Sequence, residues 1–326
     1  MSKLKGCILT FVIAVAATLL GHVFPLVGSA IFALVIGLVI NNVYRVPETF
    51  EAGIQYSGKK VLHYSIIAMG FTLSFQSLGQ TGWKSLPLIL STLFIAGLVV
   101  FLLVKWLRID THLGILIGVG TSICGGSAIA ATSPVIRAKS ADIAFAMSTV
   151  FLFNLLAVIV FPPLGHMLHL SEETFGFFAG TAINDTSSVV AASANYGAVA
   201  LETGMVVKLT RTLFIIPVVM FFTYRTVKMT KASTQQTSIR RIFPWFIVWF
   251  ALASLISTVL QFPPYIIQGF KSLSMFLISM ALAGIGLSVD FKQFKRVGMK
   301  PVLLGLVTWL VIILASLIVL KIMNMF

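Results

Sequence analysis

The chain is predicted to be an all-α polytopic membrane protein, with about nine full spans plus two broken or re-entrant helices. Three observations predict this. Of 326 residues, 58% are apolar and only 10% charged, the composition of a chain embedded in lipid. Apolar runs recur from one end to the other, each near the ~20 residues a helix needs to cross a bilayer. Two of the apolar stretches are interrupted by similar polar strings, Gly120-Thr121-Ser122-Ile123-Cys124-Gly125-Gly126-Ser127 and Gly180-Thr181-Ala182-Ile183-Asn184-Asp185-Thr186-Ser187-Ser188.

In order, full spans are expected at roughly 7–24, 27–43, 61–78, 86–107, 140–161, 204–224, 243–260, 265–287 and 301–322. Lys3 and Lys5 precede the first apolar run as in a signal peptide, but a second apolar run follows directly, so the first is read as an uncleaved span. Pro47 to Lys60 is amphipathic and is assigned to the interface. The broken segments fall near 111–137 and 173–203, and the polar stretch 225–241 reads as a cytoplasmic loop. Nothing divides the chain into soluble modules, so residues 1–326 are expected to form one membrane transporter domain.

The net charge of +14 does not indicate nucleic acid, because the basic residues sit in short loops between spans and form no soluble face. They set topology instead. One side collects the N-terminus, 45–60, 105–110, 137–142, 225–241 and 290–300, and with them most of the 23 Lys and Arg residues. By the positive-inside rule that side is the cytoplasm, so the chain is a multi-pass protein with a cytoplasmic N-terminus. Keeping Arg137 and Lys139 on that side, with Glu172 and Glu173 opposite, favours re-entrant hairpins for the broken segments; full crossings would swap only these two loops. Cys7 and Cys124 frame neither a disulfide nor a metal site.

Two internal repeats are visible. At an offset of sixty, Gly120 matches Gly180, Thr121 matches Thr181, Ile123 matches Ile183 and Ser127 matches Ser187. A second pairing sets Gly70-Phe71-Thr72-Leu73-Ser74 against Gly284-Ile285-Gly286-Leu287-Ser288, with Pro87 against Pro301. On the hairpin reading both pairs run in opposed directions, the pattern of inverted repeats that places substrate and coupling ion at the midplane of secondary transporters.

Helices break at membrane depth only where the freed backbone groups are buried in protein or line a wet cavity. The two strings are therefore the candidate binding site. Half-helix starts offer backbone N–H groups to an anion, Gly125 and Gly126 allow close approach, and Thr121, Ser122, Ser127, Thr186, Ser187 and Ser188 add hydroxyls, with Cys124 and Asn184 between them. Small residues also serve helix packing. Asp185 is the one acid inside an apolar segment, and an intramembrane acid is a functional candidate as proton carrier, cation ligand or ion-pair partner. The competing reading is that it only caps the half-helix starting at Thr186. Lys208 and Arg211 share a helix face, and Arg211 near mid-bilayer costs about 2.5–3.5 kcal/mol unless compensated. With one charge left over after Asp185, the pocket suits a small anionic substrate. Asn154 is a mid-span polar residue, a coupling ligand or interhelical glue. The five His residues fall near span ends and receive no role.

At these strings, and at Lys208-Leu209-Thr210-Arg211, the chain resembles the YeiH-like sulfate exporter family of bacterial inner-membrane proteins. Gly284-Ile-Gly-Leu-Ser-Val-Asp-Phe291 with Pro301 is also similar to a segment of bile-acid symporters and, more distantly, cation-antiporter-type transporters. The resemblance implies core and scaffold domains, elevator-like movement, a location in the bacterial cell inner membrane, and export of sulfate or an organosulfonate. It also suits a homodimer through scaffold helices. The chain has no nucleotide-binding motif, so transport is expected to be coupled to H+ or Na+, with no other cofactor. The nearest alternative is a cation/proton antiporter using Asp185. An intramembrane enzyme with Ser187 or Ser127 as nucleophile lacks a nearby base, so the protein is not expected to be an enzyme. A channel or signalling protein would show no gradient coupling.

Overall fold

The computed structural model describes residues 2–24, 28–230, 243–289 and 299–325. Most of the expected cytoplasmic loop, and the Asp290-Phe291 end of the bile-acid-symporter resemblance, lie outside these residues. Every regular element among the described residues is helical. The first helices are α1 (Ser2–Val23), α2 (Gly28–Tyr44), α3 (Glu51–Tyr56), α4 (Leu62–Gly70) and α5 (Phe75–Leu107). The broken segments supply α6 (Thr111–Ser122), α7 (Gly126–Thr132), α9 (Glu172–Ala182) and α10 (Thr186–Tyr196), separated by α8 (Ser140–Met167). The chain continues through α11 (Ala198–Leu213), α12 (Ile215–Thr230), α13 (Trp245–Leu260), α14 (Pro264–Leu287) and α15 (Met299–Ile322).

Six helical stretches are long and apolar enough to cross a membrane: Lys3–Val23, Phe75–Leu107, Ser140–Met167, Ala198–Thr226, Pro264–Leu287 and Met299–Ile322. Gly28–Tyr44 and Trp245–Leu260 are shorter apolar helices. The expected span at 61–78 is not one element. Its helix stops at Gly70, and Ser74 starts α5 by accepting the Ser77 N–H at 3.1 Å, the behaviour of an N-cap serine. The stretch assigned to the interface is helical from Glu48, running through α3 and a π turn at Ser57–Val61 into α4. Likewise α12 carries the chain helically into the start of the expected loop, to Thr230.

The chain folds into two compact units, interleaved in sequence. One comprises Met1–Gln80, Val190–Glu202 and Trp245–Lys292. Glycine governs its packing. A methyl group on Gly53 would stand 2.2 Å from the Lys3 carbonyl oxygen, and one on Gly6 2.2 Å from that of Phe50, so α1 and α3 touch backbone to backbone, the small-residue packing of membrane helices. Gly284 meets Gly58 in the π turn, while Gly286 meets the Leu34 carbonyl of α2. Hydroxyls and amides then close the helix ends. Ser254 and Ser257 donate to the Leu73 and Phe71 carbonyls at 2.8 and 2.7 Å, and Asn41 and Asn42 both donate to the Val289 carbonyl at 2.9 Å. Thus both Gly-x-x-Leu-Ser segments end a helix whose loose carbonyls are taken by side chains of a neighbour.

Gly286→Ala tests this packing. The added methyl would lie 2.2 Å from a backbone oxygen that no rotamer change can move, so a loss of about 1–3 kcal/mol is expected, read as a lower unfolding midpoint in detergent. Gly97→Ala on α5 meets nothing within 4 Å and should be neutral or mildly stabilising. Equal midpoints for the two variants would contradict the close contact.

The other unit comprises Thr81–Val189, Thr203–Pro244 and Gln293–Phe326. Its core runs between α6, α7, α8 and α15, with Leu116, Ile117, Ile129, Ala146, Val150 and Leu304 fully buried. A methyl on Gly120 would meet the Ile129 side chain at 2.8 Å. In a straight helix residues nine apart are separated by about 13 Å, so the chain bends sharply between α6 and α7 and brings the two into contact. In the second broken segment Gly180 lets α9 approach α11, where a methyl would meet the Gly204 carbonyl at 2.7 Å. Pro217, lacking an N–H, lies in the first turn of α12 and accounts for the interruption at Phe214.

Candidate functional site

The two breaks come together inside this second unit. After Ser122 the chain leaves the helix at Ile123, and the Gly125 N–H returns to the Gly120 carbonyl at 2.9 Å. Gly125 has φ +68° and ψ −132°, a conformation open to glycine and strained for any residue with a Cβ. A methyl there would lie 3.4 Å from Cβ of Asp185 and 3.6 Å from Nδ2 of Asn154. The first break therefore faces the second. Asn154 on α8 lies beside the first break and bonds the second, its Oδ1 accepting the Asp185 N–H at 3.2 Å.

Each half-helix that ends here leaves its last carbonyls without intrahelical partners, at the negative end of the helix dipole. Helix α11 answers with Lys208 and Arg211, both 0% exposed. Lys208 Nζ donates to the Ile123 carbonyl at 2.8 Å and the Ile183 carbonyl at 2.9 Å, one from each break. Arg211 does the same with its planar fork: Nε to the Ser122 carbonyl at 2.8 Å, Nη2 to Thr121 at 3.1 Å, and Nη1 to the carbonyls of Thr181 and Ile183. From the sequence, compensation of these charges is expected from Asp185 and a ligand. Among the described residues, the charged pair within 4.0 Å is His112 with Asp110, and the cations at the breaks are held by backbone oxygen. The missed signal was the Lys-x-x-Arg spacing beside two breaks, each of which strands carbonyls.

The expected hydroxyl ligands divide. Thr121 and Ser122 donate back to the Ile117 and Gly118 carbonyls at 2.8 and 2.6 Å, so their protons are engaged within α6. Ser187 donates both its N–H, at 3.0 Å, and its hydroxyl to Oδ2 of Asp185, which makes Asp185 the start of α10, as the capping reading held. Ser127 is exposed, Gly126, Asp185 and Thr186 are half-buried, and Gly125, Ser188 and Cys124 are buried. Asn184 is 0% exposed, and neither its Oδ1 nor its Nδ2 has a hydrogen-bond partner.

Residues 5–305 match the family described as Conserved hypothetical protein 698, the YeiH-like family. A UPF0324 membrane protein of Fusobacterium nucleatum is 43% identical over 100% of this chain and 99% of its own. The chain belongs to this family. UPF0324 membrane proteins of Streptococcus mutans and Streptococcus agalactiae are each 42% identical, over 97% of this chain and 96% of theirs. These names state membrane residence, in agreement with six long apolar helices.

In this member of the YeiH-like family, the junction combines two formally positive side chains with one carboxylate. Neutral carbonyl oxygens stabilise the cations without cancelling their charge. A cation entering the junction would meet Lys208 and Arg211 in a low-dielectric interior, where like charges repel strongly; an anion would be attracted.

Proposed function

We propose that this protein is a secondary transporter of a small anion, sulfate or an organosulfonate, working in the bacterial inner membrane with its N-terminus cytoplasmic. The observation that carries the reading is the buried excess of positive charge where two broken helices meet, with Lys208 and Arg211 fully enclosed and no acidic side chain within 4.0 Å among the described residues. Interrupted helices of this kind are where secondary transporters bind substrate and coupling ion. The roles of the two cations follow from their bonds. Arg211 spends its donors on carbonyls and acts through the architecture and the field, while Lys208 Nζ has a third N–H beyond its two carbonyl bonds. Direct contacts fall to Gly126, Ser127, Asn184, Thr186 and Ser188, and the half-buried Asp185 couples transport to H+ or Na+. Movement is elevator-like.

The test is flux of labelled sulfate and of a sulfonate in proteoliposomes under imposed H+ and Na+ gradients. Gradient-dependent anion movement is expected. Cation exchange without any anion requirement would favour the antiporter reading, which the carboxylate of Asp185 motivates, and would overturn this one.

A further inference from the structure

Asn184 is the anomaly of the junction. Its amide is sealed within the second unit with both polar atoms unpartnered, whereas Lys208, Arg211, Asn154 and Asp185 around it all make hydrogen bonds. An enclosed amide holds two donors on nitrogen and an acceptor on oxygen, and leaving both sides unpaired is unfavourable. Asn184 follows Ile183, whose carbonyl is clamped by both cations, and precedes Asp185, whose N–H is held by Asn154. The backbone on each side is thus held in place, which fixes where the unpaired amide sits.

We propose that Asn184 reads the substrate, selecting a small oxyanion that carries a hydrogen-bond donor of its own, a hydroxyl or an ammonium, over one that has acceptors alone. The inference rests on the anion-transport reading. An anion with acceptors alone, such as sulfate, pairs with Nδ2 but sets its oxygens against Oδ1, and beside the Asp185 carboxylate it meets a second acceptor it cannot satisfy. A ligand bearing both an anionic oxygen group and a donor satisfies both ends of the amide at once. Sites built to bond a ligand hydroxyl reject the analogue without it because their own polar groups are then stranded. Asp185 and Thr186, half-buried next to Asn184, mark the side from which the ligand arrives.

Ethanesulfonate and 2-hydroxyethanesulfonate differ only by the hydroxyl, so the purified full chain is titrated with each and with sulfate, and proteoliposome flux is measured for the same three. The hydroxyl-bearing sulfonate is expected to bind at least about tenfold tighter than the other two. In Asn184→Leu that preference should shrink to within about twofold, with an unfolding midpoint in the absence of ligand equal to or above the parent's, because an isosteric apolar group removes an unpaired amide. Equal binding of the two sulfonates by the parent protein would overturn the selection while leaving anion transport standing. A midpoint lowered in both Asn184→Leu and Asn184→Ala would show that the amide serves the fold, and would also overturn it. Failure of every anion to bind or move would remove the transport reading together with this one.

Discussion

Arg211→Met is expected to abolish the folded protein. The guanidinium donates to carbonyls of Thr121, Ser122, Thr181 and Ile183, at the ends of two different half-helices. Each hydrogen bond to a charged group contributes about 1.5–3 kcal/mol, and no water reaches a side chain that is 0% exposed. The combined loss rivals the about 5–15 kcal/mol that holds a typical domain together. Arg211→Lys should not restore it, because a single ammonium is a point donor and cannot span both ends as a planar fork does. Lys208→Met, which frees two carbonyls, one of them still bonded by Arg211, should be milder. Size-exclusion profiles and thermal midpoints in detergent provide the measurement. A monodisperse Arg211→Met protein melting with the parent would mean that the carbonyl clamp does not hold the junction together.

The second large effect is on transport and not on folding. Asp185→Asn keeps an oxygen that can accept the Ser187 N–H, now bonded at 3.0 Å, so the start of α10 survives, as Asn and Asp are comparable caps. The midpoint should stay within about 2–4 °C of the parent's, the shift that about 1 kcal/mol gives. What disappears is the ionisable group. Gradient-driven anion flux in proteoliposomes should fall to the background of protein-free vesicles, while anion binding in detergent is retained. Flux that still follows the imposed gradient in Asp185→Asn would place coupling elsewhere. Asp185→Ala separates the roles further: it also loses the cap, a cost of about 0.5–2 kcal/mol, and should melt below Asp185→Asn.

Much of this was legible in residue order. Long apolar runs forced helices, since a bilayer offers backbone groups no other partner. Gly125 and Asp185, each in a polar string interrupting an apolar stretch, marked the two breaks correctly, and the cost of intramembrane charge singled out Lys208 and Arg211. Boundaries were less legible. Pro47–Lys60 reads as amphipathic, and in the fold Gly53 and Gly58 pack one face of it against α1 and α14 while Glu48, Glu51, Lys59 and Lys60 are exposed; which neighbours that face meets was not legible. The span expected at 61–78 split because Gly70 packs against the Phe250 carbonyl, a contact far along the chain, and because Ser74 caps the next helix, a local signal that the apolar run obscured.

Amino-acid order alone, then, established a helical membrane protein with two interrupted helices, one intramembrane acid and two costly cations, because hydrophobicity and charge are properties of single positions and short windows. Only the folded chain decided what those cations do. Their partners are carbonyls 25 to 90 residues away, and a carbonyl has no letter in the sequence: every residue owns one, and only the break in a helix leaves it unbonded. The same holds for Asn184: its place in the second string made it a candidate ligand, but only the folded chain shows that its amide is enclosed with both polar atoms unpartnered.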